Sequence, residues 1–363
     1  AGRKPARCGA AMRGARSSCL PVPPRASPNG DGKAVLTGAP SSQPAVPTAD
    51  AARGANGSSA DGRADGWGIL KGRFMIPAEE VSEHLEASGQ TIGQFLSSLI
   101  RPASSLARPP VSGYHVGAVG VGASGAAYVG VNLEFPGAAL NNSVHAEQFL
   151  VVNCLVHGER RIDLLAVSAA PCGHCRQFYA ELEGAGDVGF LFGGGADAPR
   201  FLGELLPERF GPHDLEEEDF PLLLQPHNNL VRFSTPALRK IEQRSDDAAL
   251  QAAASEALRT AVAAYSPYTH CPSGCAVITS AGRVYAGGSI ESAAYNPSLS
   301  PFHTACIHGV TQGLGSFDEI KEIVVAELQG ARVRHAANVR LLQRSVAPKA
   351  KLTVLPLRYG RPR

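Results

Sequence analysis

The chain has 363 residues, 44% of them hydrophobic, enough to fill two domain cores, yet no run reaches the roughly 18 apolar residues of a membrane helix. Its net charge of +2 is unevenly spread, because residues 1–30 hold six Arg or Lys and no acid, leaving 28 basic and 32 acidic residues, or −4, in the remainder. A mildly acidic body argues against a nucleic-acid partner, which needs a basic face for the phosphate backbone. Residues 1–66 are rich in Ala, Gly, Ser, Pro and Arg without apolar periodicity, so a disordered N-terminal tail is expected there. Its basic, acid-poor start has the character of a transit peptide, which would send the protein to a plastid or mitochondrion. Otherwise the eight scattered cysteines, which match no secreted disulfide framework, favour the reducing cytosol.

From Trp67 the composition changes. Residues 78–101 carry Val81, Leu85, Ile92, Phe95, Leu96 and Leu99 near helical spacing, interrupted by Gly89 and closed by Pro102. Two β-rich runs, 115–121 and 127–135, flank Ala123-Ser124-Gly125, a hairpin-like turn. Ser143 opens an amphipathic helix to about residue 157, followed by a strand over 163–169, a helix over 172–183 and a strand over 188–192. This alternation predicts an α/β sandwich with a mixed sheet over 67–210. Residues 211–235 read as a linker, its acidic run a solvated stretch. The rest, 236–363, repeats the plan at an offset of 157 residues: Gly117 pairs with Gly274, Gly130 with Gly287 and Glu134 with Glu291, with a helix over 248–265 ahead of the strands. At that offset His145, Ala146 and Glu147 meet Phe302, His303 and Thr304, so the second copy lacks the chemistry of the first.

That chemistry is His145-Ala146-Glu147, then Pro171-Cys172-Gly173-His174-Cys175. Cysteines three apart on a helix share a face, and a helix N-terminus lowers thiol pKa, so Cys172 and Cys175 suit two thiolate ligands. With the imidazole of His145 they hold one Zn²⁺ and leave its fourth position to water, while Glu147 moves protons. H-x-E with P-C-x-x-C is the signature of zinc-dependent base deaminases. A closed structural knot, with His174 or Cys154 as fourth ligand, is the competing reading, but a closed knot gives Glu147 no task.

The phrases Asn132-Leu133-Glu134-Phe135, His145-Ala146-Glu147-Gln148 and Pro171 through Phe178 make the chain resemble cytidine deaminase, in the two-domain homodimeric form and most like the plant proteins. The likeness runs over about residues 75–357. It implies a duplicated three-layer α/β/α sandwich with mixed sheets, a catalytic first copy and a pseudocatalytic second. It further implies that His145, Cys172 and Cys175 hold one zinc per chain, that Glu147 is the proton shuttle, and that Asn132 and Glu134 grip the ribose hydroxyls. Tyr114 stands where the family often has a Phe facing the pyrimidine, and Ala146 belongs to the same substrate pocket. Ala294 and Tyr295 occupy the segment that reaches the partner's pocket in relatives. The expected reaction is hydrolytic deamination of cytidine and 2′-deoxycytidine in pyrimidine salvage. A polynucleotide cytosine deaminase would share the zinc chemistry, but it needs a basic groove with aromatic platforms.

Overall fold

The computed structural model describes residues 66–193, 198–215 and 219–360. Residues 1–65 of the expected tail and the acidic run 216–218 lie outside the described residues. The first half opens with α1 (Gly66–Leu70), β1 (Met75–Ile76), α2 (Ala78–Ser88) and α3 (Ile92–Ser104). The helical pattern expected over 78–101 is therefore two helices. Gly89, at φ 66°, ends α2 with its N–H on the Leu85 carbonyl, and Thr91 starts α3 with a capping box to Gln94. Pro102 does not close the helix: it sits inside the last turn with its ring buried, where a proline removes only one late hydrogen bond.

β2 (Gly117–Gly122) and β3 (Ala127–Val131) form the expected hairpin, turning at Gly125 with φ 83°, and both strands are shorter than the sequence pattern. Then come α4 (Ala146–Val156), β4 (Ile162–Val167), α5 (Gly173–Tyr179), β5 (Gly189–Leu191), β6 (Arg200–Phe201) and α6 (Leu202–Leu205). The six strands lie in the order β1-β3-β2-β4-β5-β6, with β4 and β5 parallel and the other pairs antiparallel. Two glycines fix the layers. A Cβ on Gly117 would strike Ser104 of α3, and one on Gly130 would strike the Ala146 carbonyl of α4. Gly130 pairs with Ala118, the neighbour of Gly117. Successive residues point to opposite faces, so α3 and α4 cover opposite sides of the sheet.

The second half contains β7 (Val231–Phe233), α7 (Thr235–Glu242), α8 (Ala248–Val262), β8 (Ser273–Thr279), β9 (Val284–Gly288), α9 (Pro301–Thr311), β10 (Ile320–Leu328), α10 (Ala336–Val346) and β11 (Lys351–Tyr359). β7 and the start of α7 occupy the end of the stretch expected as linker. The five-stranded order is β7-β11-β10-β8-β9, with β10 and β11 parallel. Here a Cβ on Gly274 would strike the Ala257 carbonyl of α8, and one on Gly287 would strike Thr304 and Ala305 of α9, repeating the layers of the first half.

Besides the number of strands, the copies differ in a loop and in a sheet edge. The offset of 157 carries β3 onto β9, but the loop after it is two residues shorter in the second half. The bridge Leu133–Val144 corresponds to Ile290–Leu299, and the N-caps of α4 and α9 are His145 and Ser300. The expected match of His145 with Phe302 is thus corrected: Ser300 stands in the place of His145, and Phe302 in that of Glu147. The second difference is at the sheet edge. β1 pairs with β3, whereas β7 pairs with β11 at the far end, and the imidazole of His308 covers the free edge of β9, its Nδ1 3.1 Å from Ala286 N and 2.9 Å from Ala286 O. α4 and α9 meet between the two sheets, and one buried apolar cluster runs through both halves, from Phe95 and Phe149 to Phe302 and Ile323.

Candidate active site

His145 does not lie inside a helix. Its backbone is extended, φ −82° and ψ 153°, which makes it the N-cap of α4 and starts the helix at Ala146 rather than at Ser143. The arrangement is held by Gln148, whose Oε1 accepts the His145 N–H at 3.2 Å. Cys172 is likewise the N-cap of α5, with Cys175 in its first turn, so Pro171 precedes the cap and the helix ends at Tyr179 instead of continuing to 183. Two helix N-termini therefore converge, each directing unpaired backbone N–H groups and positive dipole towards one point.

At that point His145 Nδ1 is 3.5 Å from Cys172 Sγ and 3.3 Å from Cys175 Sγ, and the two sulfurs are 3.7 Å apart. Around a tetrahedral zinc with Zn–S about 2.3 Å and Zn–N about 2.0–2.1 Å, neighbouring ligand atoms sit roughly 3.8 Å (S···S) and roughly 3.5 Å (S···N) apart. The donor set fits the ion in chemistry and in spacing. The hydrogen bond from Cys175, then that of His145, pulls the Cys172 thiol down to about 3, and Cys172 in turn raises His145. Metal binding displaces such protons.

Among the described residues this trio is the one His, Cys, Asp or Glu group that could hold a metal. Cys154 lies in the apolar core and His174 stacks on His145 with ring centroids 5.0 Å apart, so neither completes a closed knot. Cys175 is buried while Cys172 is exposed, which leaves the trio open on one side. Glu147 is 5% exposed, and burial pushes its carboxyl up. The hydroxyl of buried Tyr179 donates to the Glu147 carbonyl at 3.2 Å, tying α5 to the turn that carries the carboxyl.

A cavity beside the trio is lined by Tyr114, Asn132, Glu134, His145, Ala146 and Glu147. Asn132 uses its amide to shape the wall: Oδ1 accepts the Val116 N–H and Nδ2 donates to the Tyr114 carbonyl, both at 2.9 Å. Glu134 accepts the N–H groups of Val111 and Ser112 on Oε2 and the Ser112 hydroxyl on Oε1. Burial pushes this carboxyl up, but those three donors outweigh it and leave it below the ordinary glutamate value. Tyr114 is 61% exposed at the mouth. Ala294 and Tyr295 do not line this cavity, and Tyr295 turns outward with 65% of its surface exposed. Sequence reasoning gave no role to Gln148 or Tyr179. A glutamine three residues after an N-cap is a capping-box signal that marks the first; no local pattern marks the second.

Two family models, each described as the cytidine and deoxycytidylate deaminase zinc-binding region, match residues 92–191 and 202–340. Cytidine deaminase 1 of Arabidopsis thaliana is 40% identical over 296 residues, covering 78% of this chain and 97% of that protein. The chain belongs to the cytidine deaminase family. Cytidine deaminase 6 of the same plant is 42% identical over 270 residues, covering 72% of this chain and 90% of the relative. The crystal structure of cytidine deaminase from Mycobacterium tuberculosis is 28% identical, covers 34% of this chain and all of its own, and superposes with a TM-score of 0.30. The first matched span, described as a zinc-binding region, contains the trio that could hold a metal ion together with Glu147.

Proposed function

We propose that the protein is a zinc-dependent hydrolase that deaminates cytidine and 2′-deoxycytidine to uridine and 2′-deoxyuridine, releasing ammonia in pyrimidine salvage, and that it works as a homodimer. The observation that carries this reading is a buried carboxyl, Glu147, beside a His/Cys/Cys trio left open on one side. His145, Cys172 and Cys175 hold the ion. When bound, zinc supplies the Lewis acidity that lets a water lose a proton near neutral pH. Glu147 receives that proton and delivers it to N3 as the hydroxide adds to C4, then takes the proton of the new C4 hydroxyl and passes it to the amino group as C4=O forms, the C4–N4 bond breaks and ammonia leaves. Its raised carboxyl suits a group that must hold and return a proton at neutral pH.

The other residues set the substrate. Asn132 and Glu134 offer one amide and one carboxylate to the ribose hydroxyls, and Glu134 repels a phosphate placed there. The ring of Tyr114 faces the pyrimidine, and Ala146 closes the wall next to it. Ala294 and Tyr295 belong to the pocket of the second subunit.

The test is purified zinc-loaded protein assayed by ultraviolet absorbance on cytidine, 2′-deoxycytidine and cytidine 3′-phosphate. The two nucleosides should be consumed with stoichiometric ammonia while the phosphate ester is spared. Turnover confined to the ester, or to none of the three, would overturn the assignment.

A further inference from the structure

The loop 293–297 has no task within its own chain's cavity, yet it is gripped at both ends by buried side chains of the first half. At one end the Ala293 N–H donates at 2.7 Å to Oε1 of Glu181. Glu181 is fully buried, follows directly on α5, and takes the hydroxyls of Tyr265 and Tyr268 on its other oxygen. At the other end the Pro297 carbonyl accepts Nε2 of Gln148 at 2.8 Å. Gln148 is also fully buried, and its Oε1 is the group that holds the His145 backbone. Both anchors thus come from the first half, one from the helix that bears His145 at its cap and one from the chain leaving the helix of Cys172 and Cys175.

Between the anchors the loop is strained and points outward. Tyr295 adopts φ 61°, a left-handed conformation that a bulky residue keeps only where its surroundings fix it. The turn is closed by the Tyr295 N–H on the Ser292 carbonyl at 2.8 Å and the Ser298 N–H on the Tyr295 carbonyl at 3.0 Å. The result is an aromatic ring carried into solvent on a braced mount.

We propose that loop 293–297 couples the two zinc sites of the dimer, with Glu181 and Gln148 as positioning residues: they tie the loop to the zinc-bearing helices of its own chain while Tyr295 serves the pocket of a second copy. The proposal rests on the homodimer reading above. It assigns the degenerate half a purpose, since a shift of either zinc-bearing helix on ligand binding is passed to the other subunit.

Mixed dimers test it. One chain carries Glu147→Ala, so that turnover reports the site of the other chain alone. Adding Glu181→Leu to the silent chain should raise the live chain's KM for cytidine about tenfold, with kcat and zinc content held within about twofold, as expected for loss of a buried hydrogen-bonded carboxylate. Glu181→Gln in the silent chain keeps an oxygen for the Ala293 N–H and should restore most of the affinity. If the leucine variant does not fold, Tyr268→Phe, which removes one hydroxyl from the carboxylate, should give a smaller rise in the same direction. An unchanged KM with Glu181→Leu or Tyr268→Phe, where Tyr295→Ala in the same silent chain raises it, overturns the coupling and leaves the dimer reading standing. No effect of Tyr295→Ala, or a protein that sediments as a monomer, overturns both.

Discussion

Glu134 and Glu291 hold the same position in the two halves and make the same bonds: each accepts two consecutive backbone N–H groups and a hydroxyl, from Val111 and Ser112 in one copy and from Tyr268 and Thr269 in the other. The second copy kept this clamp after losing its metal ligands, so the carboxylate has a structural duty that is independent of catalysis. Glu134 holds the loop before Tyr114, and in the proposed function it also faces the ribose. A glutamine there offers one acceptor oxygen and cannot satisfy three donors. Glu134→Gln should raise KM for cytidine about tenfold while zinc content stays unchanged. Steady-state kinetics with metal analysis checks this, and an unaltered KM would remove Glu134 from the substrate pocket. The zinc trio was legible because the chemistry dictates residue type as well as spacing. Gln148 and Glu181 were not, because their partners Pro297 and Ala293 lie 149 and 112 residues away, and only the fold brings them together.

At the level of elements, sequence periodicity located the helical stretches near 78–101, 143–157, 172–183 and 248–265 and the hairpin, misjudged where they begin and end, and did not mark α9 or α10. Helix starts depend on caps, and here the caps are His145 and Cys172, which are not ordinary cap residues and belong to the trio that could hold a metal ion. The duplication was visible in glycines because each repeat needs one where a helix backbone crosses the sheet. The two-residue deletion before α9 was hidden, since a fixed offset cannot register a gap. The choice of sheet edge for β1 and β7 was hidden too, because two- and three-residue strands carry little pattern of their own. The close crossing at Gly130 gives a sharp expectation. Gly130→Ala sets a methyl against the Ala146 carbonyl and Leu150, at the start of the helix that positions His145 and Glu147. It should cost about 2 kcal/mol of stability and lower zinc occupancy as well. Denaturant titration and metal analysis together read this out, and a variant with full zinc and unchanged stability would show that α4 is free to move.

For the molecule as a whole, the two halves share one apolar cluster but differ in their electrostatic supports. In the second half Arg244 forms a bidentate pair with Glu322, at 2.7 and 2.8 Å, and Thr353 adds a hydroxyl at 2.6 Å. Burial alone pushes the Glu322 carboxyl up, but Arg244 and Thr353 outweigh it and hold it below the ordinary glutamate value. A carboxylate held low in the folded state contributes stability above its unfolded pKa and loses it as the pH falls through the folded one. Wild-type protein should therefore lose its margin over Glu322→Gln as the pH drops below about 4, the ordinary glutamate range. Thermal unfolding of the two proteins between neutral and acidic pH measures this, and a constant difference in Tm would contradict it. The mildly acidic charge balance read from composition concerns this body as a whole and said nothing about such internal pairs, which depend on residues 78 apart in sequence.

In the proposed function one zinc centre with one proton carrier performs the reaction, and metal binding and proton transfer reside in different residues. Zinc content and cytidine turnover, measured side by side on the wild type and Glu147→Ala, test it most directly. About one zinc per chain is expected in both proteins, with turnover in the wild type alone. A Glu147→Ala variant that still deaminates cytidine at the wild-type rate, or a wild type that is fully active without zinc, would contradict it.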